Sequence, residues 1–198
     1  MSRINIFTED AISQAVAIRL VSELGHIEGN VKSINRKGYG NLKSNIDQYI
    51  KLSYSSAVFL LTDLDRNICA TSLFENWKFQ PSDHKNFFFR IAVKEIEAWL
   101  LADSHSFSKF TGVKENAIPH FVETIIDPKE NLINLIKKQG KKEIKDGILP
   151  ISPRVKVGFL YNQILVQYVN EYWNPEAAAT RSPSLKRARE RLRALKLS

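Results

Sequence analysis

Residues 57–65 read Ala-Val-Phe-Leu-Leu-Thr-Asp-Leu-Asp, an apolar run that ends in two carboxylates. The stretch from Ala57 to Leu61 shows no alternation of polar and apolar residues, and polar residues flank it on both sides. Continuous apolar runs of this length are typical of strands that helices cover on both faces, as in parallel sheets. We therefore expect this segment to be the central strand of an α/β fold.

The segments around this strand alternate between strand and helix patterns. A short apolar run opens the chain, and apolar residues then recur at helical spacing up to Gly25. Strands are predicted at 4–7, 26–34, 57–61 and 87–93, and helices at 11–24, 42–50, 73–77 and from 94 onward. This order predicts a mostly parallel sheet with right-handed crossovers and flanking helices.

The second half of the chain carries helix patterns alone. Helical periodicity is clear at 131–138 and 158–172, and prolines mark the boundaries between segments. We predict an α/β core over residues 1–104 and a C-terminal all-helical extension over residues 105–198. The extension is expected to pack on the core as one compact unit.

Composition and charge exclude several classes of protein. The chain has 198 residues, of which 43% are hydrophobic and 25% charged, as in ordinary globular proteins. Its apolar runs fall short of the roughly 20 residues that cross a bilayer, so no membrane association is expected. A single cysteine and no signal-peptide pattern indicate a cytoplasmic location. The net charge of +8 favours a polyanionic partner, DNA or RNA.

Asp63 and Asp65 directly follow the central strand. Residues two apart in an extended backbone point to the same side, so these carboxylates are expected to share a small volume. Like charges at that distance are unfavourable unless a proton or a cation separates them, and Mg²⁺ prefers oxygen ligands. The alternative is that the two aspartates form a turn or a helix cap.

Acidic residues are also predicted at the ends of two other strands. Glu9 follows the first strand, and ligands of open α/β sheets bind beyond the carboxyl ends of strands. Its alternative role, with Asp10, is to stabilise the next helix N-terminus. Glu95 and Glu97 follow the fourth strand and diverge by about 200° around an ideal helix, so at most one of them is expected to face the site, with Glu97 favoured. Otherwise they belong to a solvated helix start.

Basic residues provide candidate contacts to nucleic-acid phosphates. The glycine-bearing loop at 35–40 contains Arg36 and Lys37, which supply positive charge where the backbone can approach a phosphate; a plain turn explains it as well. The last helix is rich in lysine and arginine, although a stripe of leucine and alanine can also dock it on the protein body. The predicted phosphate-binding residues are Arg36, Lys37, Arg66, Arg90, Lys186, Arg187 and Arg189.

The sequence resembles the DUF4276 family almost end to end, and its N-terminal half is similar to the TOPRIM fold of topoisomerases, primases and OLD-type nucleases. The matching motifs are Glu9-Asp10, residues 37–40, Leu61-Thr62-Asp63-Leu64-Asp65-Arg66, residues 94–103, Asp127-Pro128-Lys129, Lys156-Val157-Gly158, Tyr161-Asn162 and residues 182–185.

The resemblance implies that Glu9, Asp63 and Asp65 hold Mg²⁺ or Mn²⁺. Glu97, Glu95 or Asp103 would complete a second metal site, and Lys94 or Arg90 would stabilise developing charge. The implied function is a metal-dependent nuclease in phage defence, encoded beside an ATPase partner. Two alternatives stay open. One is a non-catalytic nucleic-acid-binding or partner subunit with a vestigial acidic site, and the other is an enzyme acting on a small phosphorylated substrate.

Overall fold

The computed structural model describes residues 4–25, 31–36, 38–80 and 85–194. Its chain divides into two compact units, one formed by residues 1–93 with 187–198 and the other by residues 94–186. The predicted boundary after residue 104 lies inside the second unit, and the end of the predicted extension belongs to the first.

A four-stranded parallel sheet forms the first unit, in the order β2-β1-β3-β4. The strands are β1 Ile4–Thr8, β2 Val31–Asn35, β3 Ala57–Asp63 and β4 Phe87–Ala92. β3 is buried along its whole length and pairs with both β1 and β4, which confirms that it is a central strand. Part of the second predicted strand, residues 26–30, lies outside the described residues.

Helices connect the strands of the first unit. They are α1 Ala11–Ser22, α2 Tyr39–Ser44, α3 Ile46–Ser53 and α4 Ala70–Asn76. The single helix predicted at 42–50 is two helices, because Asn45 leaves helical geometry with φ −102° and ψ 10°.

An aromatic cluster fills one face of the sheet. Alternate residues of β4, Phe87 and Phe89, point into it and meet Trp77 and Phe79. The ring centroids of Phe79 and Phe89 lie 5.1 Å apart, and those of Trp77 and Phe89 lie 5.0 Å apart, within the range of favourable aromatic pairs. These rings are buried in the core of the first unit.

The C-terminal part of the last helix packs in the first unit. This helix, α11 Pro183–Arg193, begins in the second unit and ends in the first. Ala188 and Leu192 are buried, which confirms the predicted docking stripe. Arg189 is also buried and donates two hydrogen bonds, of 2.9 and 3.0 Å, to the carboxylate of Glu23 at the end of α1. This pair joins residues 166 positions apart in the chain.

The second unit contains helices and turns but no strand among its residues, as predicted. The helices are α5 Ile96–Ala102, α6 Ser104–Thr111, α7 Pro128–Gln139, α8 Lys142–Ile148, α9 Tyr161–Glu171 and α10 Pro175–Ala179. Trp99 and Trp173 are fully buried, and the indole N–H of Trp173 donates to the carbonyl of Trp99 at 3.1 Å. Both tryptophans are therefore core residues, as expected.

Within the described residues, no helix has the length and apolar character needed to cross a membrane.

Candidate functional site

The order of the strands reverses direction between β1 and β3. From β1 the chain crosses to β2 on one side and later returns to form β3 on the other side. In open α/β sheets, ligands bind outside the carboxyl ends of the strands at such a switch point. Glu9 follows β1 and Asp63 ends β3, so the topology places both at this position.

The side chain of Glu9 reaches across to the end of β3. Its Oε1 accepts a hydrogen bond of 2.6 Å from the hydroxyl of Thr62 and one of 2.9 Å from the backbone N–H of Asp63. Burial raises the pKa of Glu9, and the negative charges of Asp65 and Asp10 raise it further, against the two hydrogen bonds that lower it. The Glu9 carboxylate therefore contacts the end of β3, and the joint metal binding of Glu9, Asp63 and Asp65 stays a prediction.

Glu9 and its neighbour Asp10 have different roles. The Asp10 side chain caps α1, accepting a hydrogen bond of 2.7 Å from the backbone N–H of Ser13. Helix stabilisation thus explains Asp10, but it does not explain Glu9, whose carboxylate is hydrogen-bonded to β3 instead.

Asp63 and Asp65 differ in backbone conformation. Asp63 is the last residue of β3 and is 8% exposed, whereas Asp65 is exposed and has φ +50°. The prediction of an extended backbone through both residues is therefore wrong at Asp65, which adopts the left-handed conformation that aspartate tolerates better than most residues. Asp65 nevertheless acts electrostatically on Glu9.

The donor chemistry at this edge fits a hard divalent cation in part. Burial, and to a smaller extent the charges of Asp65 and Asp10, raise the pKa of Glu9, and a bound cation would favour its ionised form. However, no group of three or more aspartate, glutamate, histidine or cysteine side chains is placed to hold a metal ion among residues 4–25, 31–36, 38–80 and 85–194. Mg²⁺ is commonly held by one or two carboxylates with water and substrate phosphate as its other ligands, and the edge fits that kind of site.

The predicted basic loop runs beside the same strand end. The backbone N–H of Arg36 donates to the carbonyl of Thr8 at 2.9 Å, and that of Gly38 donates to the carbonyl of Glu9 at 2.8 Å. The Arg36 guanidinium lies over the ring of Phe7, 5.3 Å from its centroid. Lys37 lies outside the described residues.

Arg66 lies on the exposed segment after β3. It lines an open cavity of about 390 Å³ together with Asp65, Tyr39 and Asn76. This cavity belongs to the first unit and places a guanidinium beside one of the candidate metal-binding carboxylates.

The residues after β4 belong to the second unit. Lys94 has φ +65°, so α5 begins at Ile96 rather than at 94. Glu95 Oε2 accepts a hydrogen bond of 2.8 Å from the backbone N–H of Lys129, in the first turn of α7. The placement of Lys94, Glu95 and Glu97 in one site with Glu9 stays a prediction.

Glu97 is 1% exposed and is held by two side chains of the second unit. Its Oε1 accepts a hydrogen bond of 2.8 Å from the Tyr161 hydroxyl and lies 3.5 Å from the ammonium of Lys129. Its Oε2 is buried and has no hydrogen-bond partner among the described residues. Burial raises the pKa of Glu97, which outweighs the attraction of Lys129 and the Tyr161 hydrogen bond. The predicted solvated helix start is therefore wrong for Glu97.

Because the Glu97 carboxyl is buried, we expect the free energy of unfolding to depend on pH. The Glu97 carboxyl stays protonated to a higher pH in the folded protein than in the unfolded chain. Between the ordinary pKa of 4.5 and the raised pKa of the folded state, folding is therefore accompanied by uptake of a proton. The free energy of unfolding of the wild type should fall across this window relative to Glu97→Gln. Urea unfolding of both proteins at successive pH values measures this difference, and the exposed Glu143→Gln serves as the control. A difference that stays constant with pH would contradict the prediction.

The predicted phosphate contacts on α11 and β4 differ in burial. Lys186 and Arg187 are exposed, and Arg90 is half-buried. The Arg189 guanidinium forms an ion pair with Glu23, and this contact favours a structural role for Arg189. Its contact with nucleic acid stays a prediction.

Two residues of these sites stand in the matched motifs but were not predicted to have a role in a site. Thr62 donates to Glu9, and Tyr161 donates to Glu97. A polar β-branched residue at the end of a buried strand could have pointed to Thr62, because a buried hydroxyl needs a partner. No local signal pairs Tyr161 with a residue 64 positions away.

The family model described as "Domain of unknown function (DUF4276)" matches residues 7–192. The chain belongs to the DUF4276 family. The match spans both units and confirms the resemblance to DUF4276, whereas the likeness of the N-terminal half to the TOPRIM fold stays a prediction.

Among solved structures, this DUF4276 chain is similar to the C-terminal region of the Burkholderia pseudomallei OLD protein, with 15% identity, a TM-score of 0.51 and coverage of 98% of each chain. It also matches the C-terminal region of the Xanthomonas campestris pv. campestris OLD protein, with 16% identity, a TM-score of 0.45 and coverage of 97% and 92%. At this identity the first likeness shows a shared fold. No curated protein matches the chain.

Proposed function

We propose that this DUF4276 protein is a divalent-metal-dependent nuclease of the TOPRIM type. One observation carries the proposal: Glu9, from the end of β1, is hydrogen-bonded to the end of β3 beside Asp63, with Asp65 close enough to raise its pKa. The basic net charge of +8 and the fold shared with an OLD protein region support a nucleic-acid substrate.

In this proposal Glu9, Asp63 and Asp65 are the candidate ligands, and one or two of their carboxylates would hold the cation, Mg²⁺ or Mn²⁺, together with water and substrate phosphate. The bound cation supplies positive charge that offsets the charge developing on the phosphodiester. Thr62 and the Asp63 backbone N–H orient Glu9 through their hydrogen bonds to its Oε1. Arg36 and Arg66 supply positive charge at the same end of the sheet and contact substrate phosphates.

The biological setting is part of the proposal. The resemblance to OLD-type nucleases supports a role in phage defence with an ATPase supplied by a partner protein. These 198 residues contain no glycine-rich phosphate-binding motif followed by lysine and serine or threonine, so the ATPase of this proposal lies outside them.

A second function is favoured by a different observation. The described residues contain no group of three metal-binding side chains, and they do contain exposed basic residues on α11. These features favour a non-catalytic nucleic-acid-binding subunit in which the acidic edge is vestigial. Such a subunit binds with strong salt dependence and does not cleave.

Metal removal tests the proposal. Purified protein is incubated with labelled single- and double-stranded DNA and RNA in Mg²⁺ or Mn²⁺, in EDTA, and in EDTA followed by excess divalent ion. We expect cleavage with the divalent ions, loss of cleavage in EDTA and recovery when the ion is restored.

Salt-dependent binding without cleavage in any of these conditions would favour the binding subunit. Cleavage that persists in EDTA would rule out a metal-dependent mechanism. Hydrolysis confined to small phosphorylated compounds would overturn the assignment of nucleic acid as substrate.

A further inference from the structure

Three arginines of the first unit converge on the sheet face opposite the aromatic cluster. Arg90 shares that face with Phe88, because alternate residues of β4 point the same way. Arg187 and Arg191 are four residues apart on α11 and so lie on one side of the helix. The Arg191 guanidinium lies 5.8 Å from the ring centroid of Phe88. We call Arg90, Arg187 and Arg191 the arginine cluster.

The arginine cluster is electrostatically unfavourable by itself. Arg90 Nε is buried and has no hydrogen-bond partner among the described residues. Burial lowers the pKa of Arg90, and the positive charges of Arg191 and Arg187 lower it further. Each of these charges repels Arg90, and the guanidinium has also lost water by burial.

Another arginine of the same helix shows how such a charge is otherwise compensated. Arg189 makes a bidentate ion pair with Glu23. No ion pair found in the described ranges of the chain involves Arg90, Arg187 or Arg191. Within the part of the chain that the structure describes, the arginine cluster therefore has no carboxylate of the kind that neutralises Arg189.

We infer that the arginine cluster binds a backbone phosphate of a nucleic acid. Guanidinium forks match the charged oxygens of a phosphate, and a tetrahedral phosphate offers more acceptor atoms to three arginines than a carboxylate does. Such a contact holds the strand without reading its sequence. The inference depends on the proposed function for the nature of the ligand, but it does not depend on cleavage.

Binding in EDTA tests the inference separately from catalysis. Fluorescence anisotropy measures the affinity for a labelled DNA or RNA strand across a salt series. The test variant is Arg187→Gln/Arg191→Gln. The matched control, Arg19→Gln/Arg193→Gln, removes the same charge from exposed arginines of the same unit.

We expect the test variant to bind about 10-fold more weakly at low salt, with a salt slope smaller by about 1, and the control to change both much less. A second variant, Arg187→Lys/Arg191→Lys, keeps the charge but loses the fork geometry and should show an intermediate loss. Urea unfolding confirms that each variant is folded.

Equal affinities of the test and control variants would overturn the inference even if the protein proves to be an active nuclease. Titration with inorganic phosphate separates the two sources of the ligand. If the test variant loses inorganic phosphate binding but keeps its affinity for the strand, the ligand is free phosphate and the inference is wrong. If the protein cleaves no substrate but the test variant binds more weakly as expected, phosphate binding by the arginine cluster is supported and the nuclease function is refuted.

Discussion

We expect Glu9→Gln and Asp63→Asn each to lower the rate of divalent-dependent cleavage at least about 100-fold, which corresponds to about 3 kcal/mol of transition-state stabilisation. In the proposed site, each substitution removes a negative charge that would hold the cation, and it keeps the shape of the side chain. Glutamine at 9 also keeps the oxygen that accepts from Thr62 and from the Asp63 N–H. Single-turnover cleavage rates of the purified variants measure the effect.

Glu9→Gln has a second expected result, which separates a functional carboxylate from a structural one. Burial raises the pKa of Glu9, so the folded state loses stability as the pH rises through the raised value. Without divalent ions at neutral pH, the glutamine variant should therefore be more stable than the wild type in urea unfolding. Residues that bind ligands often lower stability in this way.

The matched control for Glu9→Gln and Asp63→Asn is Asp47→Asn, which removes an exposed charge from the first turn of α3 in the same unit. This variant should cleave at the rate of the wild type. If Glu9→Gln lowers the free energy of unfolding and leaves cleavage unchanged, Glu9 is a structural residue and the proposed site is wrong.

We expect Thr62→Val to raise the divalent-ion concentration needed for half-maximal cleavage about 10- to 100-fold. Thr62 is fully buried, and its hydroxyl donates a hydrogen bond of 2.6 Å to Glu9 Oε1. Valine has nearly the same shape but cannot donate, so the Glu9 carboxylate loses one of the two groups that orient it. Cleavage measured across a range of Mg²⁺ and Mn²⁺ concentrations reports the change.

Thr62→Ser keeps the hydroxyl and should restore the metal dependence of the wild type. The control for loss of a buried hydroxyl is Thr111→Val in the second unit, where the wild-type hydroxyl donates to the Phe107 carbonyl. Both valine variants should lose stability, but Thr62→Val alone should change the metal dependence. A shift of equal size in the two variants would assign Thr62 a structural role only.

Much of the first unit follows from local pattern. The continuous apolar run at Ala57 to Leu61 predicted a covered strand, and the structure places it between β1 and β4. The carboxyl ends of parallel strands lie at one edge, so the meeting of Glu9 with the end of β3 also followed from the order of elements. The extended backbone predicted through Asp65 failed, because the strand ends at Asp63.

The burial of Glu97 in the second unit could not be predicted from the sequence pattern. Glu97 stands in the first turn of α5, where an acid normally faces solvent and stabilises the helix N-terminus. Its burial depends on Tyr161 and Lys129, which other helices supply. Helix periodicity predicts which residues share a face, but it does not predict what lies opposite that face.

The sequence by itself determined the parallel α/β sheet, the helical second half and the sheet edge at which Glu9 meets β3, because hydrophobic period and the order of elements along the chain can be read locally. The tertiary structure alone decided that Glu9 binds β3 while Asp10 caps α1, and that Arg189 is neutralised while Arg90, Arg187 and Arg191 form no ion pair within the described residues. These choices depend on contacts between residues far apart in the chain. Their energies arise only when folding removes the charges from water.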